Sequence, residues 1–323
     1  MLLMKQIAYC ILKNLSPAQR DFILGLKRYN LKKREHPDKQ LFIMLCDGKN
    51  FHGGLADRLK GIVSTFHYCL CKGIEFRINH TYPFKLTDYL LPNEYNWELR
   101  YADKISYHLF EIKYVNAIGK NLFKRLMSIN TKKQVHCYAN WNITSELNTY
   151  YQTNYEWGDL FKKLFRPSPE IEAELNYHKK AIGNKYIACQ FRFLALLGDF
   201  NEDDEPTIGK QEQEILIQKC LISLDDIKQK HHIPILVTSD SIIFISRVSK
   251  IEGIYTLPGK PVHIDCVKEN EANHEYISTF IDFFMLSEAQ RIYNIYTKKM
   301  YPSEFPLYAS KLNNIPFERI FIE

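Results

Sequence analysis

Short, unbroken apolar runs recur along this chain, and most are followed by a stretch with helical spacing. LFIMLC (41–46), IEFRI (74–78), KYIACQFRF (185–193), IPILVTSD (233–240), GIYTL (253–257) and RIYNI (291–295) are too short for buried helices. LFIMLC, KYIACQFRF and IPILVTSD are also too continuous for strands with one wet face. Parallel strands covered on both sides read this way, and they need crossover connections. Residues 55–73, 169–183, 210–230 and 273–288 supply helices for that purpose. In 55–73 the apolar stripe is Leu55, Leu59, Ile62, Val63, Phe66 and Leu70, near the 3.6-residue period. Weaker candidates are helices at 117–129, 156–165 and 240–250, a strand at 134–138, and a last helix from Pro302. The fold class is therefore α/β. At 323 residues the chain suits two domains of about 150 residues rather than one.

Arg166-Pro167-Ser168-Pro169 marks the expected boundary, because two prolines stop one helix and Pro169 can open the next. The expected layout is an arm over 1–40, an α/β domain over 41–166 and a second over 167–323. Residues 1–40 hold nine Lys/Arg against Asp21, Glu35 and Asp38, which accounts for the whole net charge of +6. The remaining body is neutral, unlike the basic folded domain of a nucleic-acid binder, so no nucleic-acid partner is expected. Ile7, Ile11, Leu12 and Leu15 fall near helical spacing ahead of LKRYNLKKREH. That pattern fits peripheral contact of residues 1–39 with an anionic membrane, and equally a solvated surface helix. No apolar run reaches the ~18 residues of a membrane span. Lys5 and Lys13 interrupt the opening stretch, a poor pattern for a secretory signal. Eight scattered cysteines without a CxxC pair read as reduced thiols, so a cytoplasmic location is expected.

Three segments carry chemistry. HGGLADRLKG (52–61) sets two glycines between strand and helix, where backbone N–H groups and the helix start favour an anion; Arg58 could reach a phosphate from the first turn. A tight structural turn explains the same residues. CQFRFLALLGDF (189–200) puts Arg192 at the carboxyl end of a buried strand, where it needs an anionic partner: a diphosphate or a buried carboxylate. In 278–310, Asp282 interrupts an apolar helix and wants donors, and Ser303 opens a helix as a cap or a phosphate ligand. Cys69-Leu70-Cys71 and His231-His232 lack partners at zinc spacing, so no metal is assigned.

Taken in order, these segments resemble the fucosyltransferase superfamily of α1,2-, α1,6- and protein O-fucosyltransferases. Gly-Gly-Leu-Ala-Asp-Arg-Leu-Lys-Gly is similar to its GxGNR-type loop, and Gln190-Phe191-Arg192 to its HxR motif, with Gln in place of His. VTSDS (237–241) resembles its TDD/SDS segment. FIDFFMLSEA (280–289) with SEFPLYAS (303–310) resembles its carboxyl-terminal motif. The resemblance implies a GT-B fold, two Rossmann-like domains facing a central cleft, with the acceptor side first and the nucleotide-sugar side second. It implies GDP-fucose as donor substrate, inversion at the anomeric carbon, and no cofactor or metal. Gly53, Gly54, Asp57 and Arg58 would close over the donor. Arg192 would neutralise charge on the β-phosphate, and Asp282 would accept from the guanine edge. Ser303, Glu304 and Phe305 would hold phosphate and nucleotide, with Asp240 and Gln190 lining the same pocket. By distance from Arg192, Asp199 is the nearest candidate base and Glu202 the second; His263 is an additional pocket candidate.

The expected function is transfer of fucose to a glycan hydroxyl, with an oligosaccharide or lipid-linked glycan as acceptor, in bacterial surface-polysaccharide synthesis at the inner membrane face. Two rivals remain open: a transferase using another nucleotide sugar, and an inactive nucleotide- or glycan-binding relative, which the Gln190 departure favours.

Overall fold

The structure is a computed structural model that describes residues 14–26, 28–32, 34, 37, 40–50, 52–199, 207–259 and 276–323. Glu202, His263 and the stripe residues Ile7, Ile11 and Leu12 lie outside these. The described chain divides into two compact units. The first takes residues up to 52 with 57–82 and 94–156; the second takes 53–56, 83–93 and 157–323.

In the first unit, β1 (Leu41–Cys46), β2 (Glu75–His80), β4 (Ile112–Ala117) and β5 (Gln134–Ala139) form a parallel sheet in the order β2-β1-β5-β4. Every residue of β1 and β5 is buried, which is why LFIMLC reads as a continuous apolar run; β5 also buries the polar Gln134 and His136. Helix α2 (Leu55–Lys72) crosses from β1 to β2, and Gly73 ends it at φ +64°. Helices α3 (Leu122–Met127) and α4 (Thr144–Tyr151) complete the unit.

Order begins before Leu41, contrary to the expected arm. Helix α1 (Pro17–Leu26) packs beside β4: Asp21 accepts from the Asn116 N–H at 3.1 Å and pairs with Arg125, and Tyr29 joins the core with Leu41, Ile43 and Tyr138. Part of the basic charge is thereby internal, since Arg28 pairs with the buried Asp47. The segment expected as a helix from 117 starts only at Leu122, because Ile112–Ala117 is strand β4.

The second unit holds a parallel five-stranded sheet in the order β11-β10-β7-β8-β9: β7 is Ile187–Phe191, β8 Ile235–Ser239, β9 Ile254–Thr256, β10 Ile292–Tyr296 and β11 Phe317–Phe321. Helices α6 (Pro169–Ile182), α7 (Lys210–His231), α8 (Ile242–Val248), α9 (Ile277–Ser287) and α10 (Phe305–Asn313) flank it. The division falls at 156/157 rather than at 166/167. Helix α5 (Trp157–Leu164) runs into β6 (Phe165–Pro167), which pairs antiparallel with β3 (Leu90–Pro92). Ser168 then caps α6, accepting from the Ile171 N–H. The prolines thus end a strand and open a helix inside this unit.

Gly61, the last residue of the GGLADRLKG segment, faces the end of β5. A Cβ there would lie 1.9 Å from the Ala139 carbonyl oxygen, which is backbone and cannot swing aside. Among the described residues no helix is long and apolar enough to cross a membrane. Gly61→Ala is expected to cost at least ~2 kcal/mol in urea unfolding, the range for overpacking. Gly209→Ala, in open space at the start of α7, should cost less than ~1 kcal/mol. Equal costs would mean the helix–strand approach is looser than described.

Candidate functional site

The carboxyl end of β7 gathers the most chemistry, as expected for a parallel sheet. Arg192 follows directly after β7, its Cζ 5.7 Å from the Tyr301 ring centroid. Asp240 follows directly after β8 and is buried. Its two oxygens accept from the N–H groups of Phe193 and Leu194, each at 2.8 Å. Leu194 sits at φ +56°, a left-handed conformation that costs a branched side chain about 1–3 kcal/mol and persists only when its surroundings impose it. Burial pushes Asp240 up to about 6, against the pull of Arg192 and the two amides. The expected alternatives for Arg192 therefore meet: it has a carboxylate neighbour, and that carboxylate shapes the turn carrying it.

The far end of the turn is tied to the same place. After the 3-10 turn at Leu194–Leu197 and Gly198 at φ +78°, Asp199 Oδ2 accepts from Ser241 Oγ at 2.8 Å and the Ile243 N–H at 2.7 Å. Asp199 thus anchors its loop to the start of α8, while its Oδ1 is buried without a hydrogen-bond partner. Ser241 itself caps α8 through the Phe244 N–H.

Gln190 points into the sheet. Its Oε1 accepts from Asn294 Nδ2 at 2.7 Å, and it lies in register with Asn294 on β10 and Thr238 on β8. Asn294 Oδ1 and Thr238 Oγ1 are buried with no partner. This polar row across three central strands is costly unless it serves a purpose. Sequence reading passed over Asn294 and took Thr238 only as part of VTSDS; a polar residue inside an apolar run (IYNIY, ILVTS) was the available signal.

Asp282 on α9 shares a small cavity with Ser278, Thr238, Ser239 and Gly259. Burial pushes its carboxyl up to about 7. Beside it, Phe283 packs on Phe305 of α10 with ring centroids 5.5 Å apart. Ser303 is buried, and its Oγ accepts from the Phe305 N–H at 3.2 Å, so its hydroxyl caps the start of α10, where Glu304 makes no side-chain cap bond.

The glycine loop divides differently from expectation. Gly53 takes φ +80°, which a glycine adopts without strain. Arg58 does not project from the first turn of α2. It is 1% exposed and donates to the Tyr82 carbonyl at 2.7 Å beside His80, so packing on β2 holds it inward. Asp57 is half-exposed and pairs with Lys60 at 2.6 Å. His52, just before the glycines, was not singled out by sequence: its ring stacks on Tyr138 and accepts from the Gly48 N–H at 3.1 Å. Burial, with Arg58 and Arg28 nearby, lowers its pKa to about 3 and keeps it neutral. Among the described residues no group of His, Cys, Asp and Glu is arranged to hold a metal ion.

No family model matches the sequence, and no curated protein matches it. Solved structures do. The NodZ α-1,6-fucosyltransferase soaked with GDP-fucose superposes with a TM-score of 0.51 at 12% identity, covering 85% of this chain and 92% of its own. The fucosyltransferase NodZ from Bradyrhizobium gives 0.50 at 12% identity, covering 84% and 92%. The fold is that of these GT-B fucosyltransferases, as the sequence motifs implied.

With a folded-state value of about 7 against 3.8 in an open chain, Asp282 makes the folded protein bind more protons between these pH values. Its contribution is present below that window and lost as pH rises through about 7. Asp282→Asn should therefore melt above the wild type at about pH 8 and level with it near pH 4. No difference at either pH would mean a solvated carboxyl.

Proposed function

We propose that the protein is an inverting, metal-independent glycosyltransferase that moves fucose from GDP-fucose to a glycan hydroxyl. The observation that carries this reading is Arg192 at the carboxyl end of the central strand β7, on a turn strained at Leu194 and held by Asp240. A neighbour of the same fold was solved after soaking with GDP-fucose, which supports this donor. Arg192 meets the β-phosphate as negative charge develops there during cleavage of the sugar–phosphate bond. Asp282 accepts from the guanine N1–H and N2–H, and its cavity, about 20 Å³ as it stands, has to widen for a base. Ser303, Glu304 and Phe305 at the start of α10, with Gly53 and Gly54, hold the phosphates and close over the donor. Asp57, which the resemblance assigns to the donor, is half-exposed. Arg58 shapes the glycine loop from within.

The acceptor hydroxyl loses its proton to Asp199 through Oδ1, since Oδ2 is committed to Ser241 and Ile243; Glu202 is second in line. The acceptor is an oligosaccharide or lipid-linked glycan in bacterial surface-polysaccharide synthesis. The enzyme works in the cytoplasm, with the outward-facing side chains of the segment 1–39, Phe22, Leu26 and Leu31 among them, against the anionic inner face of the membrane. One observation favours the inactive-relative reading instead: the amide of Gln190, in the place of the family's His, is bound to Asn294.

GDP at about 100 times its Kd should add ~2.7 kcal/mol of stability, and UDP should add none. Because the guanine edge needs the ionised Asp282, the GDP shift should grow from pH 6 to pH 8, and Asp282→Asn should lose this gain. Arg192→Ala should cut fucose transfer about 100-fold or more while still binding GDP. Full turnover in that variant would retire the mechanism; GDP binding without turnover of any nucleotide sugar would favour the inactive relative.

A further inference from the structure

The first unit has a second polar constellation that none of the motifs above includes. It lies at the carboxyl end of its sheet, where Asp47 follows β1 and Tyr138 stands near the end of β5. A cavity of about 340 Å³ there is lined by Leu24, Arg28, Lys49, Asn50 and Tyr114. Arg28 is fixed in it. One guanidinium nitrogen donates to Asp47 Oδ2 and another to Tyr138 Oη, while the Tyr138 hydroxyl donates to Asp47 Oδ1. The arginine side chain is only 6% exposed, its face lies 5.4 Å from the Tyr138 centroid, and its Nε meets no acceptor.

We infer that this cavity binds an oxyanion, a phosphate or carboxylate carried on the acceptor. That it belongs to the acceptor rests on the transferase reading; that the cavity takes an oxyanion does not. Asp47 is saturated, with one oxygen held by Arg28 and the other by Tyr138 and the Lys49 N–H at 3.3 Å. Its charge cancels that of Arg28, and Lys49 at the mouth leaves the site one positive charge in excess. Three donor-bearing side chains, Arg28, Lys49 and Tyr114, line the space, and Arg28 Nε is buried with no hydrogen-bond partner. Tyr114 accepts from Asn50 Nδ2 at 2.5 Å, which orients its own proton elsewhere. An anion with three oxygens matches such a set. Burial and the neighbouring Arg28 both lower the Lys49 pKa, a strain that a bound anion relieves.

Removing Arg28 would strand the buried Asp47 and can unfold the unit, so Lys49→Met and Tyr114→Phe are the informative variants. Melting temperatures are read against inorganic phosphate and against glucuronate, with the nucleotide site saturated by GDP and again without GDP. Phosphate also stabilises folded proteins nonspecifically, but that part is common to all variants. Expected is a saturable shift in the wild type, with apparent affinity weakened about tenfold in Lys49→Met and severalfold in Tyr114→Phe. A response to phosphate alone identifies a phosphorylated acceptor; a response to glucuronate identifies an acidic sugar. No saturable shift with either anion, or one that both variants retain in full, overturns the proposal. Failure of GDP to bind defeats the donor assignment but leaves the phosphate titration without GDP readable.

Discussion

One buried carboxylate organises the carboxyl edge of the second unit. Asp240 spends both oxygens on consecutive backbone amides, and those amides belong to the two residues after Arg192. These bonds help hold Leu194 in a conformation that leucine avoids. The direction of the chain leaving β7 and the position of Arg192 both follow from that choice. Asp199 repeats the device at the other end of the turn, so a loop of apolar sequence, LALLG, is pinned next to the start of α8 by two acids, Asp199 eight positions past β7 and Asp240 one position past β8. The proximity of Arg192 offsets part of the cost of burying Asp240.

Most of the parallel strands were legible because strands covered on both faces are largely apolar, and β1, β5, β7 and β8 are buried at every position. Two of the parallel strands escaped notice for the opposite reason. In β4 the exposed Lys113 and partly exposed Asn116 break the run, and β11 is an edge strand in which Glu318 and Arg319 face water. The helix α1 was absorbed into a basic arm because charge dominated its surroundings, whereas its docking depends on Asp21, one acid among many cations.

The site was legible where motifs are local. Asp240 and Arg192 were singled out from short strings, and the structure brings them together. What could not be read was the role of each group. Arg58 on a first helical turn has two possible directions, and the carbonyl of Tyr82 decides between them. Arg28, Asp47 and Tyr138 come from three distant stretches, so no spacing rule links them; only the sheet order, with β1 beside β5, brings them to one edge.

The pairing of β3 with β6 also bears on how the chain is made. Leu90 is matched to Pro167, and residues between them, 94–156, belong to the first unit. During synthesis the first unit has all its strands before β6 exists, while the early pieces of the second, 53–56 and 83–93, have no partners yet. The second sheet cannot begin at its centre until β7 and β8 have both emerged, and β10 follows later still. One unit can therefore finish while the other is still a set of exposed apolar segments, a period when such a chain is open to misassociation.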